Sequence, residues 1–279
     1  MRKEEGRHRR PHAYMQDLLG LLVPSEIPPR SALSGALGAA SGAVREAHPA
    51  SLVVIDASWR PRAFAVPGLQ RLSDASGHDI AAADTELADL LHETAIGYGL
   101  PSTREGAALS DGAAAALHAL MPQSGLPALL LGVPTASPAL LHEFGQALRQ
   151  STQELGRRIV AVAVGALARD LQAQHGGAEN PAVGRFGAEV LQRLRSGSAE
   201  QIFEIDGALW IQARPETELG HLSLLLGYTT PDAQVEVLGS GEAPGVFSAL
   251  LAFRAPQSLP PLGQGPWADT QHRSEIPRY

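Results

Sequence analysis

The 279-residue chain contains no cysteine. This absence excludes disulfides, thiolate-bound zinc, iron–sulfur clusters held by cysteine and any cysteine nucleophile. Charged residues are also scarce, at 18% where about a quarter is usual, and they sum to a net charge of −7. An acidic chain lacks the basic surface that nucleic-acid binding requires, so we expect no nucleic-acid partner.

Long hydrophobic runs are missing as well. No apolar stretch approaches the roughly 18 residues of a membrane-spanning helix, so we expect no membrane contact. The first ten residues, MRKEEGRHRR, are polar and have no adjoining signal-peptide core. Hydrophobic residues nevertheless make up 44% of the chain, which is enough for a sizeable core. These features together predict a globular cytoplasmic protein.

Composition divides the chain into three parts. Residues 1–13 form a basic, polar tail, which we interpret as solvated. Residues 14–254 hold a continuous globular pattern without a long linker or an internal repeat. Residues 255–279 are rich in proline, which predicts an extended C-terminal arm.

Apolar runs and helical patterns alternate within the central part. The predicted buried strands cover residues 52–55, 128–131 and 159–164, with further strands at 235–238 and 247–253. The predicted helices cover residues 34–47, 84–98, 112–120, 137–155, 182–194 and 216–228. This alternation predicts a single α/β domain with a central, mostly parallel or mixed sheet flanked by helices. Ligand sites in such folds lie beyond the carboxyl ends of the strands, here residues 56–59, 133–135 and 165–169.

The order of these segments is similar to that of a known enzyme family. The segments that carry the similarity are Leu22-Val23-Pro24-Ser25-Glu26-Ile27-Pro28-Pro29, Leu52 to Trp59, Leu72-Ser73-Asp74-Ala75-Ser76-Gly77, Leu109-Ser110-Asp111-Gly112, Gly165 to Leu171, and Pro215-Glu216 followed by Gly220-His221. Together they resemble the class III extradiol ring-cleavage dioxygenases, the LigB-like family that includes the catalytic subunit of protocatechuate 4,5-dioxygenase. The resemblance spans residues 21–254 and implies the fold of that family.

The resemblance also implies where a catalytic site would lie. In the family, two histidines and a carboxylate hold Fe(II), and another histidine acts as acid and base. The iron histidines correspond here to Ser25 and Ser58, and the acid/base histidine corresponds to Arg169. Asp111 stands at a further family histidine, and Glu216 is the candidate for the surviving carboxylate. A serine hydroxyl is a poor Fe(II) ligand, and a permanently charged arginine cannot shuttle protons.

Three functional hypotheses follow from this departure. The first is a non-catalytic homologue of aromatic compound metabolism that forms a homodimer or a hetero-complex with a catalytic homologous subunit. It has no expected cofactor, and its remnant pocket comprises Ser25, Ser58, Trp59, Glu216 and His221. Arg169 there serves either to bind an anion or to pair with its neighbour Asp170.

The two alternatives keep a ligand in the site. One is an active Fe(II) dioxygenase for catechols or aminophenols with relocated ligands, drawn from His12, His48, His78 and His221 with Glu216 or Asp56. The other is a protein that binds a small aromatic acid without turnover. In it Arg169, Arg60 or Arg214 would anchor the carboxylate and Trp59 would stack on the ring.

Overall fold

A computed structural model describes residues 18–27, 31–121, 125–197 and 199–256. Its strands are β1 (Leu18–Val23), β2 (Ser51–Asp56), β3 (Phe64–Ala65), β4 (Arg71–Ser73), β5 (Asp79–Ala82), β6 (Ser102–Thr103), β7 (Ala128–Gly132), β8 (Ile159–Val164), β9 (Ala168–Arg169), β10 (Gln234–Ala243) and β11 (Val246–Arg254). Its α-helices are α1 (Ala32–Ala47), α2 (Thr85–Gly97), α3 (Asp111–Leu120), α4 (Pro138–Leu155), α5 (Leu171–Gln174), α6 (Pro181–Arg195), α7 (Gly207–Ala213) and α8 (Gly220–Tyr228). Two 3₁₀ helices cover Ala199–Glu204 and Glu216–Leu219.

The main sheet is mixed, with the order β10-β11-β1-β8-β2-β7, and β9 pairs with β11 at one end. The strands β1, β8, β2 and β7 run parallel, whereas β11 and β10 are antiparallel to their neighbours. Every residue of β2, β7 and β8 is buried, as expected for parallel strands covered on both faces. The predicted single α/β domain with a central mixed sheet is therefore confirmed.

Alternate residues of each strand face two separate apolar layers. On one face, α1 and α3 pack over residues such as Val54, Leu130 and Val162. On the other face, α2, α4, α6 and α8 pack over residues such as Val53 and Leu131. The result is a three-layer arrangement in which the period-two alternation of the strands matches the apolar faces of the helices.

Helix α8 lies in the middle of the second layer. Apart from Leu226 at its outer side, its residues are buried. Two glycines allow it to cross α4 closely, since a Cβ on Gly145 would lie 2.2 Å from the Leu224 carbonyl oxygen and one on Gly227 would lie 2.0 Å from that of His142. This close crossing holds the N-terminus of α8 in a fixed position near the ends of β8 and β2.

The two edges of the sheet differ. Along β7, an isolated bridge joins Ala83 to Ala128. The outer edge of β10 has no paired strand among the described residues. The register of β10 against β11 slips between Val237 and Gly239, and Glu236 and Glu242 lie exposed on either side of this bulge.

Five of the six predicted helices are confirmed, as α1, α2, α3, α4 and α6, and one is wrong. Asp84, Ser110 and Ser137 each cap their helix by accepting a backbone N–H with the side chain. The predicted helix 216–228 is interrupted, because Thr217, Glu218 and Leu219 have positive φ and only Gly220–Tyr228 is α-helical. The tail 1–13 and all but two residues of the arm 255–279 lie outside the described residues and stay predictions. Within the described ranges, no helix is both long and apolar enough to cross a membrane.

Candidate functional site

The carboxyl ends of the four parallel strands meet at one edge of the sheet, here called the carboxyl edge. Backbone hydrogen bonds join the segments that follow the strands: Gly165 N–H donates to the Val23 carbonyl, and Val133 N–H donates to the Trp59 carbonyl. The segment 214–219, which enters α8, closes over this edge, and its Arg214 carbonyl accepts a hydrogen bond from the Arg169 N–H. The strand-end segments singled out by the sequence therefore do come together.

Arg169 ties three of these segments together through its side chain. Its Nη2 donates to Ser25 Oγ at 2.8 Å, and its Nη1 donates to Glu26 Oε1 at 3.2 Å. Its Nε lies 3.5 Å from Glu216 Oε1, and only 19% of the side chain is exposed. We call these four residues, Ser25, Glu26, Arg169 and Glu216, the arginine cluster. The cluster places one delocalised cation between two carboxylates and a hydroxyl.

Of the two alternatives for Arg169, the local pair with Asp170 is wrong, because the Arg169 side chain contacts Ser25, Glu26 and Glu216 instead. Asp170 instead accepts from Asn180 Nδ2 at 2.9 Å and from the Gln172 N–H at 3.0 Å, which makes it the cap of α5. The Asn180 hydrogen bond, opposed by burial, lowers the pKa of Asp170. Because the strand β9 ends between them, Arg169 and Asp170 are directed to different partners.

Glu216 is the buried carboxylate of the arginine cluster. Its Oε2 accepts a hydrogen bond from the Ala166 N–H, in the turn that follows β8. Burial raises the pKa of Glu216, and the Ala166 hydrogen bond and the Arg169 charge oppose this rise without cancelling it. The carboxylate is thus held by donors on one side and desolvated on the other.

His221 lies at the start of α8, directly beneath the segment 214–219, and is fully buried. Its Nδ1 lies 3.0 Å from Thr217 Oγ1, whose hydroxyl donates to the Glu216 carbonyl. The buried Nε2 of the ring has no hydrogen-bond partner among the described residues. Burial lowers the pKa of His221 to about 4, so the ring is neutral near pH 7.

The remaining residues that the sequence singled out do not line the cavity described below: they are Asp56, Ser58, Trp59 and Asp111. The buried Asp56 accepts from the Ser58 N–H at 2.9 Å and from the Ser110 N–H at 3.2 Å, which joins the turn after β2 to the start of α3. Ser58 itself is exposed. Trp59 is half-buried and covers Gly132, where a Cβ would lie 2.7 Å from its ring. Asp111 is exposed in the first turn of α3.

A cavity of about 380 Å³ opens on the β2–β7 side of the carboxyl edge. Its walls come from the segments after β2 and β7, from α7 and from residues 214–218. The residues that line it are Arg60, Val133, Pro134, Thr135, Ala136, Trp210, Ile211, Arg214, Pro215, Thr217 and Glu218. We call it the edge cavity. The segment 214–219 separates it from the arginine cluster, which lies on the β1–β8 side.

The segment 214–219, between the edge cavity and the arginine cluster, has unusual backbone geometry. Arg214, Thr217, Glu218 and Leu219 have φ values of 50°, 49°, 52° and 58°. Residues with a Cβ rarely adopt this left-handed region, which costs roughly 1 kcal/mol or more at each position. Four such residues within six positions show that the surrounding packing, and not local preference, determines this segment.

The donor groups at the family's iron positions do not fit Fe(II). Ser25 Oγ accepts from Arg169, and the guanidinium occupies the space between that hydroxyl and Glu216. Within the described ranges, no three histidine or carboxylate side chains converge in a way that could hold a metal ion. Two candidates for relocated ligands are remote: His48 ends α1 at the opposite edge of the sheet, and His78 pairs with Asp74 in the exposed β4–β5 hairpin. His12 lies outside the described residues.

Comparison with known proteins identifies the fold. No protein-family model matches the sequence, and no curated protein is detectably similar to it. The structure is similar to the crystal structure of an uncharacterized protein, JW3007, from Escherichia coli K12, with a TM-score of 0.69. The match covers 84% of this chain and 99% of that chain at 18% identity. At this identity the likeness shows a shared fold: a single-domain α/β protein built on a mixed sheet.

Sequence reasoning missed part of the edge. It named Arg60, Arg169 and Arg214 as alternative anchors, and the structure places Arg60 and Arg214 on the cavity and Arg169 in the cluster. Trp210 and Glu218 were not singled out. No local signal identifies them, because α7 is short and positive φ at Glu218 has no glycine or asparagine to mark it.

Proposed function

We propose that this chain is a non-catalytic homologue of the class III extradiol dioxygenases. The observation that carries the proposal is the position of the Arg169 guanidinium, which lies between Ser25 and Glu216 at the carboxyl edge. The guanidinium charge repels Fe(II) at this place. It also occupies Ser25 Oγ and Glu216, the oxygen atoms that could otherwise bind the metal. Arginine also stays protonated near neutral pH, so it cannot act there as a general base.

The role that fits such a homologue is that of a subunit beside an iron-binding relative. In a hetero-complex, the partner would supply the histidines that positions 25, 58 and 169 lack, and this chain would stabilise it. Two features support this role. The chain has a complete α/β domain, and the Arg169 side chain fills the position that the resemblance assigns to the metal.

Iron content tests the absence of a catalytic centre. The pure protein is incubated with Fe(II) without oxygen, excess metal is removed, and bound iron is counted per chain. We expect iron near zero in the wild type and in His78→Ala and His221→Ala variants alike. About one iron per chain, lost in either variant, would overturn the proposal in favour of an active enzyme with relocated ligands.

The subunit role needs a separate experiment. A tagged chain is isolated from its native cell under gentle conditions, and co-purifying chains are identified by mass spectrometry. We expect a stoichiometric homologue with histidines at the positions equivalent to 25 and 58. Isolation as a lone chain or as a homodimer would contradict the subunit role.

A further inference from the structure

The lining of the edge cavity carries two exposed guanidinium groups. Arg60 is exposed on its wall, and no described residue accepts a hydrogen bond from its side chain. Arg214 contributes a second guanidinium, 58% exposed, whose Nη1 is 3.8 Å from Asp170, too far for a hydrogen bond. Glu218 is the single carboxylate on the lining. Carboxylates behind the lining offset part of this positive charge, since Asp170 lies within ion-pair distance of Arg214 and the charge of Arg60 acts on Glu216. The surface of the cavity itself presents two guanidinium groups and one carboxylate.

The remainder of the lining is apolar and includes a fixed ring. Trp210 is held edge-to-face against Phe186, with ring centroids 5.2 Å apart and an interplanar angle of 84°. Val133, Pro134 and Ala136 lie across the cavity from α7. Ile211 also lines it and is 77% exposed, more than any other large hydrophobic residue described. Such exposure at a concavity is a feature of surfaces that are covered when a ligand binds.

The backbone around the cavity is held in a conformation that local preference disfavours. Arg214 and Glu218, the two charged residues on this wall, both have positive φ. Strained backbone collects at ligand sites, where surrounding packing maintains it because it directs side chains that a relaxed turn would not. The strained backbone and the exposed Arg214 guanidinium therefore lie on the same wall of the cavity.

We infer that the edge cavity binds a small organic carboxylate with a flat apolar body. Arg60 and Arg214 hold the carboxylate, because a guanidinium matches its two oxygens. Trp210 and Ile211 cover the body. The volume of about 380 Å³ is near the lower end of the range for ligand pockets, which limits the body to about one ring. This site is separate from the arginine cluster and does not depend on whether iron binds.

Benzoate is the probe, and calorimetry with thermal unfolding is the measurement. We expect benzoate to bind and to raise Tm in proportion to its concentration. Benzamide has the same ring without the charge, acetate has the charge without the ring, and phosphate is an anion of another shape. Each should bind at least tenfold more weakly than benzoate. Equal binding of benzoate and benzamide, or of benzoate and phosphate, would overturn the inference.

Matched variants locate the site. Arg60→Gln and Arg214→Gln should each weaken benzoate binding about tenfold or more, whereas Arg62→Gln, an exposed arginine outside the lining, should not. Trp210→Phe should retain binding by calorimetry but lose the benzoate-induced change in tryptophan fluorescence. Unchanged affinity in both cavity-arginine variants would contradict the inference. Iron content measured on the same preparations keeps the two proposals separate, because either can fail while the other holds.

Discussion

The β1–β8 and β2–β7 sides of the carboxyl edge both carry arginine side chains, but their surroundings differ. On the β1–β8 side, Arg169 lies against two carboxylates and a hydroxyl, and these side chains fill the space. On the β2–β7 side, Arg60 and Arg214 line an open cavity and interact with carboxylates only at longer range, as in the 3.8 Å separation of Arg214 and Asp170. The comparison teaches that charge at a strand end is not by itself a sign of a ligand site. What distinguishes the halves is whether side chains of the protein contact the guanidinium closely and fill the space around it.

The largest expected effect concerns His221, which lies beneath the segment that separates the halves. Its lowered pKa means that the folded state binds fewer protons than the unfolded state between pH 6.5 and about 4. Stability from this group is therefore complete above pH 6.5 and is lost as pH falls towards 4. The loss amounts to about 3 kcal/mol.

Chemical denaturation across this pH window measures the effect. His221→Gln should show a flatter decline in the free energy of unfolding than the wild type. His118→Gln removes an exposed histidine of α3 and should keep the wild-type slope. The same slope in all three proteins would show that His221 does not couple protonation to folding.

Arg169→Gln should destabilise the arginine cluster on the β1–β8 side of the carboxyl edge. The substitution leaves the buried Glu216 carboxylate without its cation, at a cost of about 2–3 kcal/mol in the free energy of unfolding. Because burial already raises the pKa of Glu216, the loss should become smaller as pH falls and the carboxyl takes up a proton.

Two variants control for other causes. Arg71→Gln removes an exposed ion pair with Asp79 and should cost less than about 1 kcal/mol. The double variant Arg169→Gln/Glu216→Gln should recover part of the lost stability, since no buried charge remains. A double variant less stable than Arg169→Gln alone would show that packing, not charge, dominates the cluster.

Two serines offer a smaller test within the same edge. Ser25→Ala removes the hydroxyl that accepts from Arg169 and should cost about 1 kcal/mol. Ser58→Ala changes an exposed side chain and should stay within about 0.5 kcal/mol of the wild type. Denaturant midpoints at constant slope measure both, and equal effects would argue that Ser25 contributes no more than a surface serine.

The smallest expected effect concerns Glu218, on the wall of the edge cavity. Asparagine tolerates the left-handed region better than glutamate or glutamine does. Glu218→Asn should therefore be more stable than Glu218→Gln by about 0.5 kcal/mol, while both remove the same charge. Identical unfolding free energies would show that positive φ at this position carries no cost.

Sequence patterns predicted the architecture because its determinants are local. Continuous apolar runs predicted β2, β7 and β8 nearly to the residue, and Asp84 and Ser137 marked two helix starts. The strand ends predicted the edge of the sheet at which the cavity lies.

The details of the edge depend on contacts that no local pattern records. Ser25 and Arg169 are 144 positions apart, and the adjacent Asp170 made a local pair look equally reasonable. The break at 217–219 was hidden because Leu219, Leu222 and Leu225 continue a helical spacing across it. Only the packing of α8 against α4 and the sheet imposes the change of backbone there.

The outer edge of β10, which pairs with no strand among the described residues, has a consequence for behaviour at high concentration. An open strand can recruit another chain by backbone pairing, which leads to aggregation. The bulge in β10 interrupts the regular spacing of donors and acceptors along this edge. A second copy approaching it would meet a mismatched register. We therefore expect the bulge to disfavour self-association through this strand.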